Sequence, residues 1–142
     1  MILPYETIFS KALSRFDDPK ELALDSNDFV EIYTERLHNV LGDTRVRRLF
    51  SSITLDDEVQ EVSFELENSI DESSDVEYVC RLFVLGITIE WLSPRVDSLN
   101  YTLMMLGGKE EKMLNNPYKL LQARLDNVKK ELSKTIRDHG YL

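Results

Sequence analysis

Cysteine is almost missing from this chain of 142 residues: Cys80 stands alone, so no internal disulfide forms and a structural zinc site lacks its ligands. Histidine is nearly as scarce, and neither His38 nor His139 falls in an HxxxH or HExxH spacing. Long apolar runs are missing too. The longest is Leu82–Ile87 with Gly86 counted in, far short of the ~20 residues that a membrane-spanning helix needs. The opening Met1–Glu6 has neither the basic region nor the apolar stretch of a secretory leader. These absences predict a soluble, intracellularly made protein with no membrane role. One domain spanning 1–142 is expected, because a domain usually takes ~100–200 residues.

What is present is an ordinary globular balance with a skewed charge. Apolar residues make up 42% and charged residues 30%, enough for a core and too apolar for a disordered chain. The net charge of −9 divides unevenly. Residues 1–80 hold 19 acids and 7 bases, whereas 81–142 hold 7 acids and 10 bases. No Lys or Arg occurs between Leu49 and Cys80, while ten acids do, among them Asp56, Asp57, Glu58, Glu61, Glu65 and Glu67. From Lys109 to Arg137 the sign reverses, with eight bases against four acids. Such a balance argues against specific nucleic-acid binding, which relies on accumulated Lys and Arg. Each charged stretch reads either as a solvated face or as half of a complementary pair that steers one copy onto another.

Apolar spacing predicts a mainly α fold, a helical bundle. Pro4 suits a first helical turn, and Ile8, Phe9, Leu13 and Phe16 follow at helical spacing until Asp17-Asp18-Pro19. A second helix is expected from about Asp28 to Leu41, capped by Ser26 or Asn27 and ended by Gly42. Thr44–Ser52 reads as another short helix. An acidic loop or strand insertion is expected at about 53–75, with a short strand or hairpin around 53–67. There Val62, Phe64 and Leu66 alternate with polar residues at the two-residue period of a strand. Its partner is Ile53–Leu55 or another subunit, since one strand cannot stand alone.

A third helix, capped by Ser73, Ser74 or Asp75, is apolar on more than one side through Trp91, which marks it as the central helix. Ser93-Pro94 predicts a kink or break in it, and Gly107-Gly108 its stop. Asn116-Pro117 opens a long basic C-terminal helix at about 117–139. One apolar stripe runs along it through Tyr118, Leu121, Leu125, Val128 and Leu132. At ~1.5 Å per residue that helix is roughly 33 Å long.

Signatures of chemistry are weak. His38 reads as a surface histidine, and Cys80, among Val79, Leu82 and Phe83, as a small buried hydrophobe. Gly107-Gly108-Lys109 lacks the spacing of a phosphate loop. The stretch Asp56–Glu67 has the length of a calcium loop but carries Glu61 where the turn glycine belongs. Divalent-metal hydrolysis by the same acids has no histidine or glycine-shaped pocket behind it. The expectation is therefore no enzyme, no cofactor and no metal.

Several blocks are distinctive: Leu85-Gly86-Ile87-Thr88-Ile89-Glu90-Trp91-Leu92-Ser93-Pro94-Arg95-Val96-Asp97-Ser98, Gly107-Gly108-Lys109-Glu110-Glu111-Lys112, Tyr118–Arg124 and Arg137-Asp138-His139-Gly140-Tyr141. With Phe16-Asp17-Asp18-Pro19 and Leu55-Asp56-Asp57-Glu58, they resemble small virion proteins of tailed bacteriophages, in particular head–tail connector (neck, adaptor) components. The resemblance implies a mostly helical, non-catalytic protomer in the virion neck. It joins copies of itself into a ring between the portal protein and neighbouring neck or tail proteins.

In such adaptors a C-terminal segment often reaches the portal. Here Arg137–Leu142 would hold that place, ending on Tyr141 and Leu142, although no long tail follows the last helix. The subunit and partner interface is then expected at Asp56, Asp57, Glu58, Glu61 and Glu65 on one side. The other side would be Lys119, Arg124, Lys129, Lys130, Lys134, Arg137, Tyr141 and Leu142. The acidic band either receives the next subunit's basic helix or lines a channel that repels DNA phosphate. A generic helical interaction or regulatory module, monomeric or dimeric, is the alternative.

Overall fold

A computed structural model describes residues 1–16, 25–106 and 108–139, leaving out the side chains of Phe16 and of 109–114. The elements run in the order β1 (Ile2–Pro4), α1 (Tyr5–Phe16), α2 (Ser26–Val40), α3 (Thr44–Arg47), β2 (Phe50–Asp56), β3 (Glu61–Leu66), α4 (Glu72–Met105) and α5 (Lys109–His139). The fold is mainly α, with a small three-stranded sheet in the order β1-β3-β2.

The apolar content of α4 explains the layout. Val79, Leu82, Phe83, Leu85, Ile87 and Leu92 leave almost no surface exposed, on several sides of the helix, so neighbours must cover it all round. α5 and α1 pack along it, with α2 beside them. From α1 come Ile8, Phe9 and Ala12, and from α2 Tyr33, Leu37 and Val40. Phe29 stacks on Tyr33 at 4.2 Å between ring centroids, and Phe9 meets Tyr33 edge-on at 5.5 Å. α5 contributes Leu125, Val128 and Leu132. Where α2 ends on α4 the backbones come close. A Cβ built on Gly86 would lie 2.5 Å from Val40 Cγ2.

The strand period at 62–66 is real: Val62, Phe64 and Leu66 are buried while Ser63 and Glu65 are exposed. Its partner is within the chain. β2 pairs antiparallel with β3, Ile53 opposite Phe64 and Leu55 opposite Val62, and β1 pairs on the other edge of β3 with Leu3 opposite Val62.

Four local expectations are corrected. The short helix expected over Thr44–Ser52 stops at Arg47, and Phe50 opens β2 instead. Pairing of Phe50 with Leu66 overrides the local spacing of Val46, Leu49 and Phe50, as tertiary contact commonly overrides propensity. The cap of α4 is Asp71, whose carboxylate accepts Ser74 N–H at 2.7 Å. Asp75 is buried instead and accepts Ile70 N–H at 3.0 Å and the Ser69 hydroxyl.

The last helix begins at Lys109, eight residues before Pro117, which sits inside it. Of the kink or break expected at Ser93-Pro94, the break is not there, as α4 stays helical through Pro94 to Met105. Side chains engage carbonyls around the proline: Ser93 Oγ donates to Ile89 O at 2.9 Å and an Arg95 guanidinium N–H to Trp91 O at 2.7 Å. Gly108, at φ 70°, supplies the left-handed residue just before α5. The proposed stop at Asp17-Asp18-Pro19 lies outside the described residues.

Candidate functional site

The acidic band is built on the β2–β3 hairpin and fastened to the helices. Asp56 shapes the turn, its Oδ1 accepting the N–H groups of Glu58 at 3.1 Å and Val59 at 3.2 Å, the side-chain mimicry of a turn that Asp favours. Gln60 closes the turn in the left-handed region, φ 60°, and its carbonyl accepts Tyr5 N–H at 2.9 Å. The Tyr5 hydroxyl donates to Asp57 Oδ1 at 2.7 Å, and His38 Nε2 lies 2.9 and 3.0 Å from the two carboxylate oxygens.

Burial and the adjoining Asp57 carboxylate push the Tyr5 hydroxyl well above its ordinary range, so it stays a donor. The Tyr5 hydrogen bond, with help from His38, holds Asp57 below the usual carboxylate range. At the far end of β3 the amine of Met1 donates to Phe64 O at 2.9 Å and meets Glu65 Oε1 at 3.2 Å. Asp56, Asp57, Glu58 and Glu65 are exposed, and Glu61 is half-buried.

The basic side is α5. Its apolar stripe lies on α4, which turns Lys129, Lys130, Lys134 and Arg137 to the surface around a shallow groove shared with Ser133. Among the described residues none of Lys119, Lys129, Lys130 and Lys134 is in an ion pair, and no ion pair joins a hairpin acid to an α5 base. Arg137 lies 3.7 Å from its neighbour Asp138. Arg124 sits apart from that row. It donates to Arg15 O at 2.6 Å and stands 5.3 Å over the Trp91 ring, tying α5 to α1 and α4. Lys119 is exposed further toward the start of α5, and Tyr141 and Leu142 lie outside the described residues.

Cys80 is buried, and desolvation pushes its thiol up, away from nucleophilic character. His139 is buried at the end of α5 and stacks on Tyr78 at 4.1 Å. Tyr78 in turn donates to Thr135 O at 2.9 Å, and burial pushes its hydroxyl to about 12. These two rings line a cleft of about 510 Å³ with Asp75, Arg81 and Lys134. Among the described residues there is no group of three metal-ligating side chains, and no helix is long and apolar enough to cross a membrane.

Sequence reasoning placed Asp57 on the acidic band but missed its two fastenings, because Tyr5 and His38 stand 52 and 19 positions away and nothing local marks them. No family model matches this chain, and no curated protein and no solved structure is found similar to it.

Proposed function

We propose that this chain is a non-enzymatic assembly protein of a tailed-phage virion, a head–tail connector whose copies join in a ring between the portal protein and the neck or tail proteins. The observation that supports this reading is the split surface. A fixed acidic hairpin carries Asp56, Asp57, Glu58, Glu61 and Glu65, and a separate row of Lys129, Lys130, Lys134 and Arg137 has almost no acidic partners among the described residues. Unlike patches on different faces of one chain make a head-to-tail contact, and such contacts close into rings where the rotation permits. Asp57 is held by hydrogen bonds to Tyr5 and His38 and Glu65 by one to the Met1 amine, so little order has to be imposed on these two when a neighbour arrives.

Charge reversal tests the contact. Lys130→Glu should abolish assembly on portal rings, seen by native mass measurement or electron microscopy. A compensating acid-to-Lys change at Glu58 or Glu61 should restore it. Failure of every hairpin position to rescue would refute the pairing, and failure of the wild-type chain to bind any portal ring would refute the connector reading. A chain that binds an unrelated protein instead would be the interaction module.

A further inference from the structure

The cleft of about 510 Å³ opens where the start of α4 meets the end of α5. Its volume is that of a pocket for a small organic ligand. The two helix ends bring opposite partial charges to it, so the side chains decide what it attracts. Most of its acids are already engaged. Asp75 is buried and accepts Ile70 N–H at 3.0 Å and the Ser69 hydroxyl. Glu131 pairs with Arg15 at 3.6 Å and Asp138 with Arg137 at 3.7 Å. Exposed Glu77 is the one acid of the cleft with no such partner among the described residues.

The groups left over are donors. Among the described residues neither Arg81 nor Lys134 is in an ion pair. His139 is only 6% exposed, and its Nε2 is buried without a hydrogen-bond partner. The ring itself is held. It stacks on Tyr78 at 4.1 Å, and the Tyr78 hydroxyl is committed to Thr135 O at 2.9 Å. A buried polar atom without a partner costs free energy that an acceptor in the cleft would restore.

From these groups we infer that the cleft binds a small organic phosphate monoester. The match is in charge and in number. Such an ester carries about two negative charges at pH 7 and three terminal oxygens, and two cations and an imidazole nitrogen are there to meet them. Arg81 has the planar fork that suits phosphate, and Lys134 brings a point charge on a flexible stem. Nε2 donates when it carries the ring proton. His139 lies five residues beyond Lys134, ~7.5 Å along α5, a distance that the long Lys and Arg stems span. Ile70, 58% exposed on the cleft wall, gives the organic part an apolar surface. A carboxylate brings less charge and leaves one donor unmet, and a cation would meet two like charges. The site needs one copy only and does not rest on the connector reading.

Isothermal titration calorimetry of the full chain with phenyl phosphate tests the site, with sub-millimolar binding expected. Benzoate, inorganic phosphate and phenyltrimethylammonium should each bind more weakly. Arg81→Met and Lys134→Met keep the stems and remove the charges, so each should weaken phenyl phosphate about tenfold, the worth of one charged hydrogen bond. His139→Phe keeps the stack on Tyr78 and removes the nitrogen. It should weaken binding severalfold while the melting temperature of the free chain holds or rises, a split that a packing role alone would not give. No binding of phenyl phosphate, a control bound as tightly as phenyl phosphate, or an affinity that any of the three variants leaves unchanged overturns the inference.

Discussion

Replacing Gly86 with alanine sets two effects of opposite sign against each other. In an unconstrained helix interior the change stabilises, because glycine costs ~1 kcal/mol relative to alanine. Here the new methyl carbon would sit 2.5 and 2.7 Å from the γ carbons of Val40 and 3.1 Å from its Cβ, against a comfortable carbon separation of ~3.5–4.0 Å. Val40 cannot simply rotate away, since a β-branched side chain in a helix has one strongly preferred rotamer. Relief must come from moving the end of α2, and a cleft of about 360 Å³ beside the contact, lined by Asn39, Val46, Ile89 and Leu132, gives it some room. Overpacking of this kind costs ~1–3 kcal/mol; with the middle of that range set against the helix gain, Gly86→Ala should be destabilised by about 1 kcal/mol. Urea unfolding followed by circular dichroism measures it, and a thermal melt should show a Tm lower by roughly 3–4 °C. Val40→Ala removes the obstructing carbons, so the double variant should lose about 2 kcal/mol less than the two single changes together. A stabilised Gly86→Ala protein, or strict additivity with Val40→Ala, would refute the close approach of α2 and α4.

Two further outcomes follow from the hydrogen-bonded hairpin and the buried thiol. Tyr5→Phe should lower stability at pH 7 by about 1 kcal/mol, the usual worth of one hydrogen bond. Asp57 is depressed by that bond, so its contribution is present above the ordinary carboxylate range and lost as pH falls through the folded value. The wild-type minus Tyr5→Phe difference should therefore shrink on acidification below about pH 4, and a difference that is flat or grows would be the wrong sign. Cys80 should react with a thiol reagent only as fast as the protein opens, because the thiol is buried and desolvation raises its pKa. Stopped assays over a urea series should show the labelling rate tracking the unfolded fraction, and fast labelling in native buffer would contradict the packing around α4.

How much was readable beforehand depended on whether the deciding contact was local. The central place of α4 follows from apolar residues on every side, a property of the sequence itself, and so does the period of β3. One partner of that strand is legible because Ile53–Leu55 lies one turn away; the other, Ile2–Pro4, is not, because it lies far off in the chain and Pro4 there reads as a helical first turn. Phe50 was misread because its partner Leu66 is sixteen residues on, and no window around Val46–Phe50 contains it. Pro117 reads as a helix start and Pro94 as a kink or break since proline weakens a helix, yet both helices run through. Around Pro94, Ser93 and Arg95 bond the carbonyls of Ile89 and Trp91 one turn back, on either side of the Glu90 carbonyl that the proline leaves without its helical donor. The candidate interface divided in the same way. Which residues are charged is written in the chain, but that Arg124 lies on Trp91 whereas Lys130 has no ion-pair partner among the described residues depends on the rotation of α5 about its axis, and that is set by packing.

That rotation also limits what the basic row can do. Leu125, Val128 and Leu132 fix one side of α5 against α4, so the backbone positions of the lysines opposite cannot move without unseating the core. The acids face a matching constraint: moving Asp57 breaks its bonds to Tyr5 and His38, and moving Glu65 breaks its pair with the Met1 amine. Charges on long free side chains lose rotamer entropy on pairing, which is why exposed ion pairs are commonly worth little. On the acidic side, part of that ordering has already happened during folding, in a hairpin whose turn is set by Asp56 and whose strands are pinned at both ends. A neighbour bringing the α5 lysines would order its own side chains and few of these. The gain from such a contact is then mostly in orientation, since a fixed field admits few registers, and orientation is what a protomer needs in order to meet the next copy at the same angle each time.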